Sequence, residues 1–257
     1  MAFDPVGILL PDGLAFSDAL LLIAASFVTA LMTATLGIGG GVALLAVMAT
    51  LLPPLAIIPV HGLVQAGANS NRALLTRRHI DRPVLADFAL GALAGALLAA
   101  LLVVQLPAAV ILLAVGGFVL YLCWGPTLPS HALRGWPLRA AAALSTLISM
   151  FVGASGPLVA AFTQQLSDER YVRVATFSAC MSVQHGLKLL VFGGVGFAFG
   201  EWLGLILAMI ASGAAGTWVG LHLLARISNA QFARVFRWVL TLLALRLLLT
   251  GGQMLLA

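Results

Sequence analysis

Seven stretches of this chain, at about 16–36, 57–76, 83–105, 107–124, 137–152, 171–191 and 201–225, are long and apolar enough to approach a membrane span, and an eighth follows at 231–250. A crossing helix needs about 20 mostly apolar residues. Lipid offers the backbone no hydrogen bonds, so segments of this kind must be helical. Composition agrees. Of 257 residues, 62% are hydrophobic and 8% are charged, and the mean hydropathy is +1.12. A soluble domain carries roughly 25% charge, so a soluble enzyme, a nucleic-acid binder and a disordered chain are excluded. The net charge of +5 comes from 13 Lys and Arg that mostly flank the apolar runs. That pattern reads as membrane topology, not as a nucleic-acid surface. Residues 1–15 hold Asp4 and Asp12 and no Lys or Arg, so the first run is expected to be a retained membrane segment and not a cleavable signal. Cys123 and Cys180 sit in apolar stretches without disulfide or metal spacing, and read as small core residues. No metal or cofactor is expected.

Two further apolar runs, 42–52 and 157–166, are too short to cross at ~1.5 Å per residue. Each follows a glycine-rich break: Gly37-Ile38-Gly39-Gly40-Gly41 in one case, Gly153-Ala154-Ser155-Gly156-Pro157 in the other. Such breaks free backbone groups, so they must be buried in protein or line a wet cavity. They also open an internal repeat. A shift of 116 positions places Gly40 on Gly156, Asn69 on His185 and Arg72 on Lys188, and a later shift of 121 places Gly95 on Gly216. The chain 1–257 is therefore expected to be one membrane domain. Repeat one covers about 16–124, a polar connector 125–136, and repeat two about 137–250. The expected fold is all-α and polytopic, with about eight transmembrane helices and two Gly-broken half-helix hairpins.

Orientation follows from Lys and Arg in short loops. Arg77, Arg78 and Arg82 lie in one loop, Arg134 and Arg139 in a second, and Arg226, Arg234 and Arg237 in a third, whereas 105–106 and 192–200 carry no positive charge. The first three are expected in the cytoplasm, which puts both termini outside. The first hairpin then enters from outside and the second from the cytoplasm, as in many secondary transporters with inverted repeats. Gly91-x-x-x-Gly95 and Gly216-x-x-x-Gly220 let helices approach closely, within the chain or, alternatively, across a homodimer face.

Polar side chains inside spans are functional candidates. His61, Gln65, Asn69 and Arg72 are spaced 4, 4 and 3 apart, which places them on one helical face. Gln184, His185 and Lys188 share a face of 171–191. Interhelical hydrogen bonding is the structural reading of the mid-depth residues, and snorkelling that of Arg72 and Lys188. Half-helices beginning at Gly41 and Pro157 aim free N–H groups and positive dipole ends at the breaks. Asp18, Asp87 and Glu201 all lie near helix ends. The constellation suits an anion, and if protons are coupled, His61 and His185 are the available carriers. His79, His131 and His222 read as loop or end residues.

With these motifs placed, the chain resembles the sulfite exporter TauE/SafE family, also called the 4-toluene sulfonate uptake permease family. The resemblance rests on Leu36-Gly-Ile-Gly-Gly-Gly41, His61-Gly-Leu-Val-Gln65, Asn69-Ser-Asn-Arg72, Arg78-His-Ile-Asp81, Gly153-Ala-Ser-Gly-Pro157-Leu, Gln184-His-Gly-Leu-Lys188 and Phe192-Gly-Gly194, over about 16–250. It implies transport of small sulfur-containing or organic anions, such as sulfite or sulfonates, across the bacterial inner membrane. The chain departs from a coupled carrier in lacking an acidic coupling residue.

The residues expected to hold the anion are Gly39, Gly40, Gly41, Ser155 and Gly156 through backbone and hydroxyl groups, and Gln65, Asn69, Gln184 and His185 through hydrogen bonds. Arg72 and Lys188 are expected to neutralise its charge, in direct contact or at the two entrances. An anion channel or pore fits two converging hairpins as well. A third reading is an intramembrane serine protease, with Ser155 as nucleophile and His185 as base. It is opposed by Pro157 and by Gly39, the repeat partner of Ser155. A purely structural subunit leaves the buried polar stripes without a use. The reading preferred is therefore a transporter and not an enzyme. Its partners are a small anion and the lipid bilayer, without nucleic acid.

Overall fold

The computed structural model describes residues 10–11, 13–36, 39–102, 107–126, 132–163, 165–223 and 229–256. Among them are ten α-helices and no strand: α1 (Phe16–Leu36), α2 (Gly40–Leu51), α3 (Pro54–Leu75), α4 (Arg82–Leu102), α5 (Ala108–Trp124), α6 (Gly135–Val152), α7 (Gly156–Thr163), α8 (Arg170–Gly194), α9 (Leu203–Leu223) and α10 (Asn229–Leu256). Short 3-10 turns at Arg77–His79 and Phe199–Trp202 precede α4 and α9. Gly37 and Ile38 of the first break, loop residues 103–106, connector residues 127–131 with His131, Arg226, and the side chains of His222 and Arg234 lie outside the described residues.

Among the described residues, five helices are long and apolar enough to cross a membrane, spanning 16–34, 82–102, 135–152, 199–220 and 237–256. They present large apolar side chains outward, among them Leu20, Leu93, Leu97, Leu101, Leu144, Leu207 and Leu249, as a bilayer-facing surface requires. α3 and α8 are longer still, at 22 and 25 residues. Their polar stripes lower their hydropathy, and the two helices pack against each other. α5, with 17 residues, is apolar but shorter. The apolar runs expected at 42–52 and 157–166 are the separate helices α2 and α7. Each begins at a glycine of the break, because the break ends where the backbone can first turn helically.

The glycines decide the other close pairings. A Cβ on Gly91 or Gly95 of α4 would collide with the carbonyl of Arg139 or Ala143 on α6, and one on Gly216 of α9 with the carbonyl of Phe27 on α1. On Gly220 it would come within 2.7 Å of the Leu31 carbonyl. Only hydrogen fits where one helix backbone meets another this closely. The long pairs are therefore α1 with α9, α4 with α6, α3 with α8, and α5 with α10.

The basic segments gather at one end of the bundle. Arg134 pairs with Asp81 at 2.8 Å and Arg139 with Asp87 at 2.7 Å, while Asp87 also accepts the Gly135 N–H. Arg237 stacks over Trp124 at the foot of α5, 5.4 Å from the ring centroid. Exposed pairs of this kind stabilise by only ~0–1 kcal/mol. Their value here is positional, since Arg134 ties the connector to loop 77–82 and Arg237 ties α10 to the end of α5.

Candidate functional site

A narrow cavity of about 50 Å³ lies where α1, α2, α3, α7 and α8 meet. Two helix N-termini reach it. Gly39, in the left-handed region at φ 101°, turns the chain into α2. A Cβ on Gly40 would strike the Thr29 carbonyl and the Thr33 hydroxyl of α1, so the α2 terminus sits against α1 as only glycine permits. Ala43 N–H is the donor that reaches the Gly39 carbonyl, at 3.0 Å. The N–H groups of Gly40, Gly41 and Val42 precede it and have no acceptor within the helix. Across the cavity, Gly153 at φ 83° ends α6, and Ser155, Gly156 and Pro157 open α7.

The wall from α3 carries His61, Gln65, Asn69 and Arg72, and α8 adds Phe177, Met181 and His185. Asn69 Nδ2 donates to the Gln65 carbonyl at 2.9 Å and to Gln65 Oε1 at 3.3 Å, which ties the two amides into one polar strip. His61 Nε2 lies 2.8 Å from the Gly41 carbonyl. A carbonyl only accepts, so this nitrogen carries the proton. The His61 and His185 rings stand edge to face, 6.0 Å apart. Among the described residues, no carboxylate lines the cavity.

Gly39, Gly40, Gly41, Gln65, Asn69, Arg72, Ser155, Gly156 and His185 are thus brought together at the cavity. Gln184 and Lys188 stand behind it. Gln184 accepts the Ser155 hydroxyl proton and donates to Thr146 at 2.9 Å. Lys188 is 0% exposed and donates to the Gly153 carbonyl at 2.6 Å. Its stem lies against Gly62, where a Cβ would come within 2.8 Å of Lys188 Cδ. Lys188 is therefore neither at an entrance nor snorkelling, because α3 seals it in. On its far side is a second, apolar cavity of about 370 Å³, walled by Leu55, Ile58, Pro59, Met150 and Phe192, with Glu201 at its edge. The Ser155 hydroxyl is given to Gln184 and not to His185, so the nucleophile–base bond of a protease is not formed here.

The model of the sulfite exporter TauE/SafE family matches residues 22–247. The chain belongs to that family. No curated protein and no solved structure matches it. The chain is accordingly a multi-pass membrane protein of a transporter family, and the cavity is this family member's candidate site.

Sequence reasoning passed over part of the wall. Ser26, Thr29 and Thr33 of α1 line the cavity of this TauE/SafE-family protein, and Ser145 and Thr146 of α6 are buried behind it. The 116-residue shift carried the signal, since it places Thr29 on Ser145 and Thr33 on Ser149. His61 was legible as part of the stripe but not as a wall residue. Substituting Gln184→Leu is expected to leave the Ser155 and Thr146 hydroxyls unpaired and to destabilise the protein by about 1–3 kcal/mol. Thermal unfolding in detergent measures it, and an unchanged midpoint would show that these hydroxyls find other partners.

Proposed function

We propose that this protein is an exporter of a small anion, sulfite or a small organosulfonate, held between two half-helix N-termini. The observation that carries the reading is the cavity itself. The N-terminal ends of α2 and α7, the Asn69–Gln65 amides and Arg72 converge on one space that, among the described residues, no carboxylate lines. Preorganised N–H donors and a positive dipole end favour an anion. Size narrows the class. About 50 Å³ holds a few waters, whereas a cavity that takes benzene is ~150 Å³. Sulfite or an alkyl sulfonate suits this state better than an arene sulfonate.

Alternating access between inverted halves accounts for the packing. Exchanging the halves maps the α1–α9 pair onto α6–α4 and leaves α3–α8 and α5–α10 paired with themselves. The first cavity extends from His61 toward Arg72, on the side of the basic loops, and the second starts beyond His61 at Pro59 and Ile58. His61 and Lys188 close the space between them, which favours a carrier over an open pore. With the basic end cytoplasmic, this is the inward-facing state. α3, α5 and α8 complete eight crossings of the cell inner membrane, and both termini lie outside.

Ligands that bind only the folded state raise its stability, by about 2.7 kcal/mol at a hundred times Kd. Sulfite and methanesulfonate are expected to raise the melting temperature of the purified protein, and Asn69→Leu to remove the shift while the variant still folds. An equal shift in Asn69→Leu would put the site elsewhere.

A further inference from the structure

The two imidazoles at the deep end of the cavity have a hydrogen-bonding state that an anion does not suit. His61 and His185 are each 1% exposed, and both line the cavity. The Nδ1 atom of each is buried without a hydrogen-bond partner. Buried polar atoms are nearly always paired, and two such atoms on facing rings are a feature to be explained. His61 donates from Nε2 to the Gly41 carbonyl, so in the neutral ring its Nδ1 is a bare lone pair, with the Gly153 carbonyl nearby. An oxyanion also offers only lone pairs, and the two would repel. One proton removes the conflict. Placed on the pair, it turns an acceptor into a charged donor, the strong kind of partner for an oxyanion.

We propose that the His61–His185 pair takes up one proton as the anion binds, so that anion and proton occupy the site together. The proton comes from water on the open side and leaves with the anion. This deepens the anion-carrier reading and rests on it. Without the anion, nothing among the described residues beside the two buried rings offsets the desolvation of an added charge. With it, the added negative charge repays protonation.

Among the described residues, few other groups face the pair. Of these residues, Arg72 on α3 is the remaining ionisable one on the cavity wall, and Lys188 on α8 lies three residues beyond His185 with its stem against Gly62, the neighbour of His61. α2 and α7 carry no ionisable side chain, and neither does α9 over residues 203–220. On α6, Arg139 is engaged with Asp87 of α4 at the basic end. Arg82 opens α4 at that same end. Tyr121 and Cys123 lie in the last turn of α5, and Glu201 borders the second cavity. In the 3-10 turn, His79 stacks on Tyr171, beside Arg77 and Arg78.

The test is calorimetric titration of the whole protein with methanesulfonate, which stays ionised throughout, and with sulfite corrected for its own titration. It is run between about pH 5 and about pH 8, in two buffers of different ionisation heat. The expected result is uptake of about one proton per anion and an affinity that falls as pH rises, approaching tenfold per unit where the free pair is neutral. His185→Gln and His61→Gln, which keep a polar group of similar reach, are expected to bind more weakly with a flatter pH profile. Binding without proton uptake would overturn this inference and leave the anion site standing. The same overturning follows if proton uptake persists unchanged in both variants. Failure of every anion to bind at any pH would remove the anion-site reading, and this inference with it. The buffer comparison on the unaltered protein decides the matter even if a variant fails to fold.

Discussion

Lys188→Met is expected to leave the protein folded and to lower anion affinity by roughly 30-fold. Lys188 is 0% exposed, and its Nζ has one hydrogen-bond partner, the Gly153 carbonyl. Among the described residues, no carboxylate pairs with it. A buried ammonium held by one neutral acceptor is costly to the fold, and replacing buried ions by apolar groups of similar volume is often neutral or stabilising. Methionine keeps the stem that packs on Gly62 and fills the space flexibly. What is lost is the positive charge behind the cavity. A charge acting on the anion across an intervening layer of side chains is worth about 2 kcal/mol at an effective protein dielectric of about 20, and every 1.4 kcal/mol is tenfold. Calorimetry gives the affinity and thermal unfolding the stability. Undiminished binding in a folded Lys188→Met would mean that Arg72 and the helix termini supply all the charge the anion needs.

Gly95→Leu and Gly216→Leu are expected to be the most damaging single changes to the fold. At both positions the new Cβ would land on a backbone carbonyl of the facing helix. Backbone cannot swing aside as a side chain can, so the helices must separate along their length. Overpacking costs about 1–3 kcal/mol, and more where nothing can move. Separation would also part α4 from α6 and α1 from α9, the pairs that carry the two glycine breaks. Gly117 provides the contrast. It lies on α5, where a Cβ would meet nothing within 4 Å, so Gly117→Ala is expected to be neutral or to stabilise by up to ~1 kcal/mol. Folded yield and melting temperature in detergent compare the three. A Gly95→Leu protein that melts normally but changes oligomeric size would show that this face joins two copies.

How far the site could be read from sequence differs from residue to residue. The stripe His61–Gln65–Asn69–Arg72 was legible because helical periodicity alone puts those positions on one face, and such a face cannot meet lipid. The glycine breaks were legible for the same reason, since free backbone groups need protein or water. Thr29 and Thr33 were harder to see. A hydroxyl on an apolar helix can bond its own preceding turn, as Thr33 does to the Thr29 carbonyl at 2.9 Å, so its presence does not announce a cavity. Lys188 had two sequence-level fates, snorkelling or burial. Periodicity could not choose, because the choice depends on Gly62 from another helix.

The sequence by itself determined that this chain is a helical membrane protein with two broken segments and an interior polar face. Those properties follow from local energetics, namely the transfer of side chains and backbone groups into lipid, and each residue votes on them separately. It also ordered the motifs by which the TauE/SafE family is known. The tertiary structure decided which helices pair and what each polar group touches. It gave Gln184 to Ser155 and Thr146, sealed Lys188 beneath α3, and left two imidazole nitrogens unpaired at the end of a cavity of about 50 Å³. Such outcomes depend on the mutual fit of distant surfaces, where one glycine facing one carbonyl settles the distance between two helices. No local pattern encodes that fit.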